Sequence, residues 1–286
     1  MSAHTEPPFA TIAIAGLGLI GGSIALAVRE VWPSVRLVGV DTPPVLAHAL
    51  GDATIDRAAV SLDDAEGADL VILAAPVEQN LALVRTLDGH GAVVVTDVGG
   101  TKRTIVEAAR DLPERVVFVG GHPLGGGERG GLAFARPDLF AGRPWIFTPV
   151  EPRGADARAR LDTLVSAFGA RPTTMAALDH DRLMAYVSHL PQLAASALMD
   201  VVGRRATADG LKLAGKGLLD TTRLASSPAD VWRDICATNA DAIGEALDEL
   251  IARLGQIRAG LRQETALENV FDEAARWRAE LMKSME

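Results

Sequence analysis

A single histidine, His122, stands at the start of a segment that is rich in glycine. It follows the apolar run 115–119, which predicts a buried strand, and seven glycines lie between residues 120 and 131. Glycine allows a backbone to approach a bound molecule closely and to adopt positive φ angles. Histidine is the side chain best suited to move a proton near neutral pH. This segment therefore predicts a loop that binds a small molecule, with His122 as a candidate proton acceptor.

A second glycine-rich segment has the spacing of a dinucleotide-binding turn. It follows the apolar segment 10–15, which predicts a strand, and precedes a helix predicted over 21–30. In such a turn the first glycine closes the bend, the second admits the pyrophosphate, and the third allows helix and strand to pack closely. The amino terminus of the helix would then present free N–H groups to the phosphates. The cofactor-binding residues expected here are Gly16, Gly18, Leu19, Ile20 and Gly21.

Asp41 ends the second predicted strand, 35–40, at about twenty residues beyond Gly21. A carboxylate at this point hydrogen-bonds the ribose 2′-hydroxyl and repels a 2′-phosphate, and residues 42–44 include no Arg or Lys to receive that phosphate. We therefore predict NAD rather than NADP as the cofactor. Ala75 and Pro76, which follow a later strand, are expected to line the nicotinamide side of the site by analogy with this fold.

The elements that must position these residues alternate between short apolar runs and helical patterns. Such alternation predicts an α/β fold, a Rossmann-type, doubly wound parallel sheet with helices on both faces. The further strands are expected at 70–75, 92–96, 115–119 and 144–148, with an extended piece at 171–174, and the further helices at 77–87, 102–110 and 155–168.

Strand signals stop after about Met175, and the rest of the chain has helical patterns. A helix over 177–202 should be kinked by Pro191, and a later helix should start with Ser227 as N-cap and Pro228 in its first turn. We predict a dinucleotide-binding domain over 1–175 and an all-helical domain for substrate binding and dimerisation over 176–286. An apolar stripe within 243–261 is either core of the helical domain or a surface that a second subunit covers.

Bulk properties exclude several classes of protein. The chain of 286 residues has a formal net charge of −9, which argues against nucleic-acid binding because phosphate backbones need a basic face. Cys236 is the only cysteine, which suits a reducing compartment. The uncharged segment 9–28 is long enough to span a membrane, but glycines interrupt it and no Lys or Arg precedes it. We expect a cytoplasmic protein with no membrane partner and no metal site.

Four further segments, taken with the dinucleotide motif, resemble the prephenate dehydrogenase family, including its arogenate-using members. They are 96–102, the His122 segment, 179–192 and 220–227, and the resemblance covers most of the chain. It implies a small anionic substrate, a cyclohexadienol that carries a ring carboxylate and a side-chain carboxylate. The carbinol carbon would give a hydride to NAD+, the hydroxyl would give its proton to a base, and the ring carboxylate would leave as CO2.

The resemblance also assigns roles to individual residues. It implies that His122 is the base and that the guanidinium of Arg223 grips the side-chain carboxylate. His189 matches the first histidine of a Ser-His-Leu-Pro-His pattern, in which Gln192 replaces the second, so both are candidate substrate contacts. Glu128 matches a glutamate that either orders the glycine-rich loop or handles substrate. His180 is expected to orient the start of a helix rather than to touch a ligand.

The chain departs from the family pattern Asp-x-Gly-Ser-x-Lys, because Gly100 occupies the serine position. The serine hydroxyl is implied to assist the histidine and the substrate hydroxyl, whereas Gly100 contributes only a backbone N–H. Either Thr101, which is therefore a candidate catalytic residue, or a water compensates for the hydroxyl. One neutral hydrogen bond of this kind is worth about 1 kcal/mol. Lys102 is open to two interpretations, a first-turn helix residue or an electrostatic aid to the substrate.

The leading prediction is an NAD-dependent oxidative decarboxylase that makes 4-hydroxyphenylpyruvate from prephenate in tyrosine biosynthesis. The nearest alternative is the same chemistry on arogenate, which gives tyrosine directly. Two other readings are a two-domain dehydrogenase of a small hydroxy acid and a catalytically silent NAD-binding regulator; the retention of His122 and Arg223 argues against the second. The resemblance implies a homodimer joined through the helical domain. Since the sequence ends at Glu286, tyrosine inhibition, where it occurs, is expected at the active site.

Overall fold

An eight-stranded sheet forms the amino-terminal part of the protein. The computed structural model describes residues 6–87, 91, 93–127, 129–150 and 154–284, with no side-chain description for 264–266. The strands are β1 (Thr11–Ala15), β2 (Arg36–Val40), β3 (Arg57–Ala59), β4 (Leu70–Leu73), β5 (Val93–Asp97), β6 (Val116–Pro123), β7 (Pro144–Pro149) and β8 (Arg171–Thr174). Their order in the sheet is β3-β2-β1-β4-β5-β6-β7-β8.

Helices cover both faces of this sheet, as predicted. Alternate residues of a strand point to opposite faces, so Ile12 and Ile14 of β1 belong to one apolar cluster while Ala13 and Ala15 belong to the other. The helices of this part are α1 (Leu19–Val31), α2 (Pro43–Gly51), α3 (Val77–Val84), α4 (Arg103–Ala108) and α5 (Ala155–Ala167). Helices α1, α2 and α5 pack on the first cluster, and α3 and α4 pack on the second.

The amino-terminal part differs from the prediction in three ways. The pair β6–β7 is antiparallel, although every other neighbouring pair is parallel. Strand β6 continues past residue 119, because His122 and Pro123 pair with Ile146 and Trp145 of β7. His122 therefore lies in a strand rather than at the start of a loop. Helix α2 and strand β3 were not predicted from the sequence.

The carboxyl-terminal part is helical in the described residues beyond β8. Its helices are α6 (Ala177–Met184), α7 (Leu190–Leu211), α8 (Lys216–Thr222), α9 (Ala229–Thr238), α10 (Ala240–Gly260) and α11 (Glu264–Lys283), with a π-helical turn at Ala185–His189 and a 3₁₀ turn at Arg223–Ser226.

Two helix boundaries in this part differ from the prediction. Pro191 lies in the first turn of α7, where its missing N–H removes no helical hydrogen bond, and the π-helical turn before it interrupts the regular helix. Helix α9 has Pro228 at its N-cap instead of Ser227, and the Ser227 hydroxyl donates to the side chain of Gln192.

The apolar stripe of α10 divides between core and surface. Ile243 is buried in a cluster with Ala185 and Ala246, whereas Ile251, Leu254 and other large apolar side chains of the stripe are exposed. The core interpretation is confirmed for the first part of the helix, and the exposed part stays a candidate surface for a second subunit. Across the ranges given above, none of the helices combines the length and the hydropathy that crossing a membrane requires.

Candidate active site

The turn between β1 and α1 has the geometry that its glycines predict. Gly16 has a φ of +95°, and a Cβ on it would lie 2.6 Å from the backbone of Ala74 and Ala75. A Cβ on Gly21 would lie 1.9 Å from the carbonyl oxygen of Gly16. Gly18 is the N-cap of α1, and no described residue has an atom within 4 Å of its Cβ position. Gly16 and Gly21 thus permit the close packing of the turn, and Gly18 leaves open space at the amino terminus of α1.

Asp41 lies beside this turn at the end of β2. Its carboxylate accepts the N–H of Leu17 at 2.7 Å and the N–H of Thr42 at 2.6 Å, so the carboxylate is fixed to the glycine turn. A cleft of about 420 Å³ opens over the same edge of the sheet, and its lining includes Gly16, Gly18, Asp41, Ala75 and Pro76. Leu19 and Ile20 are half-buried in the first turn of α1. This combination fits a dinucleotide, because the amino terminus of α1 and a carboxylate line the same open cleft.

Sequence reasoning missed a residue that shapes this cleft, Asn80 of α3. Its Nδ2 donates to the carbonyl oxygen of Leu73 at 3.1 Å, and its Oδ1 accepts the N–H of Ala75 at 3.1 Å. The side chain is fully buried and holds the turn that carries Ala75 and Pro76. The signal in the sequence was an asparagine one turn into a helix that follows an apolar strand, since a buried amide there needs hydrogen-bond partners.

His122 is the centre of a second site and is linked to the helical part of the chain. Its Nδ1 lies 2.8 Å from Nε2 of His180 on α6, and Nδ1 of His180 lies 2.8 Å from Oδ1 of Asp181. The carboxylate of Asp181 also accepts the N–H groups of Lys102 and Arg103 at 2.7 and 2.8 Å, at the start of α4. Asp181, rather than His180, therefore caps a helix start, which corrects the role expected for His180.

These contacts fix the protons on the two imidazole rings. Because a carboxylate accepts only, Nδ1 of His180 carries the proton of that hydrogen bond. Nε2 of neutral His180 is then an acceptor, so Nδ1 of His122 donates to it and Nε2 of His122 carries a lone pair. No described residue hydrogen-bonds to this Nε2. The arrangement leaves one basic nitrogen free to accept a proton from a bound molecule.

The surroundings of His122 favour its neutral form. Burial lowers its pKa well below 6.5, and the neighbouring His180, Lys102 and His189 lower it further. Burial also lowers the pKa of His180, although its hydrogen bond to Asp181 opposes that shift. A neutral imidazole is the form that a general base requires, so the site holds His122 ready at neutral pH.

Lys102 forms a buried ion pair with Asp97 at the end of β5, and both side chains are at least 99% buried. The carboxylate of Asp97 also accepts the N–H of Gly99 at 2.8 Å and the N–H of Gly121 at 3.0 Å. The carboxylate of Asp97 thereby links β5 to β6 at Gly121, one residue before His122. Lys102 therefore acts on the site through its charge and its packing, since its ammonium group is committed to Asp97.

Among the described residues, no hydroxyl group forms a hydrogen bond with His122, whose Nδ1 is hydrogen-bonded to His180. A Cβ on Gly100 would lie 4.0 Å from Nε2 of His122 and 3.6 Å from Cδ1 of Ile235 on α9. The hydroxyl of Thr101 lies 2.8 Å from that of Thr238, which itself donates to a carbonyl oxygen of α9. The proton of Thr101 therefore points to Thr238, and the structure does not support the catalytic role predicted for Thr101.

Arg223 lines a second cleft, which also borders the glycine-rich segment after β6. It is exposed at the start of the 3₁₀ turn 223–226, and the cleft of about 660 Å³ that it lines also includes Gly126 and Gly127. No carboxylate of the described residues forms an ion pair with Arg223. Its guanidinium is thus available to an anion that enters between the glycine-rich segment and the helical part.

Two of the remaining predicted contacts are buried inside the protein. His189 ends the π-helical turn, its Nδ1 lies 3.4 Å from Nδ2 of Asn239, and its pKa is lowered to about 4, mainly by burial. Gln192 donates to the carbonyl oxygen of Leu224 and to the hydroxyl of Ser196. Both amide protons of Gln192 are used there, so it is not placed as a substrate donor. Glu128 lies outside the described residues.

Comparisons with known proteins match both parts of the chain. The family model for the nucleotide-binding domain of prephenate dehydrogenase matches residues 24–174. The family model for the prephenate dehydrogenase dimerization domain matches residues 176–273. A curated prephenate dehydrogenase from Bacillus subtilis is 38% identical over 270 residues, which cover 91% of this chain and 72% of that protein.

Solved structures are similar over almost the whole chain. The prephenate dehydrogenase from A. aeolicus in complex with hydroxyphenyl propionate and NAD+ has a TM-score of 0.87 at 28% identity, and the match covers 95% of this chain and 98% of that one. The arogenate dehydrogenase from Synechocystis has a TM-score of 0.81 at 27% identity, with 95% and 99% of the two chains covered.

Proposed function

Since the chain belongs to the prephenate dehydrogenase family, we propose that it catalyses the NAD-dependent oxidative decarboxylation of prephenate to 4-hydroxyphenylpyruvate. The observation that carries this proposal is the free Nε2 of His122, held by His180 and Asp181 in the same sheet as an open dinucleotide cradle at Gly18. NAD+ supplies the acceptor for the hydride when it is bound. We assign proton transfer and substrate binding to side chains of this chain.

His122 is the proposed base. Its Nε2 takes the proton of the ring hydroxyl as the carbinol carbon loses its hydride, and it returns the proton to the same oxygen as the ring carboxylate leaves as CO2 and the ring aromatises. The imidazolium formed in between is stabilised through Nδ1 by His180 and Asp181, because that chain of hydrogen bonds ends on a carboxylate. Arg223 is the proposed grip for the side-chain carboxylate, since a guanidinium fork binds a carboxylate through two hydrogen bonds.

The substrate is tested directly by supplying the purified protein with NAD and either prephenate or arogenate and following NADH absorbance. We expect turnover of prephenate, with arogenate as the second candidate because the likeness to the Synechocystis arogenate dehydrogenase is nearly as strong. Turnover of neither compound, together with tight NAD binding, would instead support a silent NAD-binding regulator.

The pH dependence of catalysis should reflect the lowered pKa of His122. Because the base must be neutral, kcat/KM keeps its full value above the pKa of His122 and decreases as the pH falls through that pKa. Burial and the neighbouring His180, Lys102 and His189 hold this pKa well below 6.5. We expect kcat/KM for prephenate to stay level down through pH 6.5 and then to fall about tenfold per pH unit at lower pH. A decline that begins above pH 6.5 would contradict the role of His122.

The cofactor preference should depend on the charge of Asp41. We expect NAD to be used much better than NADP, because the carboxylate repels a 2′-phosphate. An Asp41→Asn variant keeps an acceptor for the N–H of Leu17 and removes the charge, so its kcat/KM for NADP should rise on the order of tenfold. Asp52→Asn, an exposed change outside the cleft, is the matched control. Equal or better turnover of NADP by the unmodified protein would contradict the prediction.

We also propose that the chain works as a cytoplasmic homodimer, with cofactor binding in 1–175 and dimerisation in 176–286. Large apolar side chains on α10 and α11 are exposed, among them Leu254, Phe271 and Trp277, and contiguous exposed apolar surface is typical of protein–protein interfaces. Sedimentation should give about twice the chain mass of 30.0 kDa. A monomer would contradict the dimer, and a Leu254→Glu variant should shift the equilibrium towards monomer.

A further inference from the structure

Gln192 is a buried side chain whose hydrogen bonds converge on the segment that carries Arg223. Only 4% of the residue is exposed. Its Nε2 donates to the carbonyl oxygen of Leu224 at 2.7 Å, and its Oε1 accepts the hydroxyl proton of Ser227 at 3.1 Å. A third, longer bond of 3.3 Å joins Nε2 to Ser196 on the same helix, α7. The amide therefore holds both the first and the last part of the turn that follows Arg223.

Among the described residues, Gln192 is the side chain outside the turn that hydrogen-bonds to it. Arg223 is exposed, its carbonyl oxygen accepts the hydroxyl of Ser226 within the same turn at 3.1 Å, and no ion pair with a described carboxylate holds its side chain. Its position in the cleft thus depends on where the backbone of the 3₁₀ turn is held. A misplacement of a binding group by about 1 Å weakens its interaction with a ligand considerably.

We propose that Gln192 is a positioning residue for Arg223 and makes no contact with substrate itself. The inference rests on the proposed function, because it takes Arg223 as the group that binds the substrate carboxylate. A glutamine suits this task, since one side chain supplies a donor and an acceptor at a fixed spacing. The amide also stays neutral at every physiological pH, so the hold on the turn persists under acidic conditions in which an imidazole would gain a proton and lose its acceptor.

The test begins with Gln192→Met, which preserves length and removes both hydrogen bonds to the turn. We expect KM for prephenate to rise about tenfold, as the loss of such bonds implies, while kcat and KM for NAD stay within about twofold. Ser227→Ala removes one of the two bonds without changing the core and should raise KM about threefold. Ser196→Ala removes only the bond within α7 and is the matched control, with no change in KM.

A double-mutant cycle with Arg223→Ala distinguishes positioning from direct contact. If Gln192 acts through Arg223, Gln192→Met adds no further rise in KM once Arg223 is gone. Additive effects would overturn the inference, because they mean that Gln192 meets the substrate independently. An unchanged KM in Gln192→Met and Ser227→Ala, with a raised KM in Arg223→Ala, would overturn it as well while leaving the proposed function intact.

Binding of hydroxyphenyl propionate in the presence of NAD provides a readout that does not depend on turnover. This probe carries a side-chain carboxylate, so its Kd should rise in Gln192→Met by the same factor as KM. A Kd equal to that of the unmodified protein would refute the inference. An unchanged KM and Kd in Arg223→Ala would refute the proposed role of Arg223, and the inference with it, which separates that failure from the failure of Gln192 alone.

Discussion

Replacement of His122 by asparagine is expected to lower kcat by a factor of about 10² to 10⁴, the range over which general bases contribute. Asparagine is smaller and uncharged, and its side-chain NH2 can donate to Nε2 of His180 as Nδ1 of the imidazole does. The variant should therefore fold and bind NAD normally. It lacks a basic atom at the place of the imidazole Nε2, so the hydroxyl proton loses the acceptor that His122 provides.

The measurement is NADH formation at saturating prephenate and NAD, with thermal denaturation as a check on folding. His48→Asn, at an exposed histidine on α2 that pairs with Asp52, is the matched control and should retain full activity. The low-pH decline in kcat/KM should also disappear from the residual activity of His122→Asn. Turnover close to that of the unmodified protein would remove His122 from the mechanism.

The parts of the fold that local sequence determines were predicted well. Each central strand is a short apolar run whose residues are buried on both faces, so its location depends on the run itself. The turn at Gly16, Gly18 and Gly21 was predicted from its glycine spacing, which is local in the sequence. The structure shows why glycine is needed at the first and third positions, where a Cβ would clash with backbone atoms. The family models agree with the resemblance that the motifs of the sequence indicated.

Features that depend on distant pairing were not accessible from local patterns. The extension of β6 through His122 results from antiparallel pairing with β7, which the apolar run 115–119 does not encode. His122 and His180 are 58 residues apart, and Thr101 and Thr238 are 137 residues apart. The second distance explains why Thr101 was predicted as a catalytic residue, since its partner was invisible in the motif around it.

The contact of Ser227 was likewise not accessible from local patterns. Its position before a proline is typical of an N-cap, but the structure has Pro228 at the N-cap, and the Ser227 hydroxyl donates to Gln192. A residue with a strong local preference was thus used for a contact across the helical domain. The contact joins Ser227 to Gln192, a candidate substrate residue that instead holds the turn carrying Arg223.

Arg223→Ala is expected to raise KM for prephenate by about 10- to 100-fold, with a smaller effect on kcat. A charge-assisted pair between a guanidinium and a carboxylate is among the stronger polar interactions in proteins, and the side-chain carboxylate takes no part in bond making or breaking. The pair is therefore as strong in the ground state as in the transition state, so its loss appears mainly in KM. Arg223→Lys keeps the charge without the planar fork. Its KM should lie between that of the unmodified protein and that of Arg223→Ala.

KM for NAD is the internal control in this experiment, because the cleft at Gly16, Gly18 and Asp41 shares no lining residue with the cleft at Arg223. Arg204→Ala, at an exposed arginine of α7 that pairs with Asp200, is the matched control and should leave both KM values unchanged. An unchanged KM for prephenate in Arg223→Ala would reject the carboxylate grip. Equal rises in both KM values, with a lower melting temperature, would instead indicate that the change disturbs the helical part as a whole.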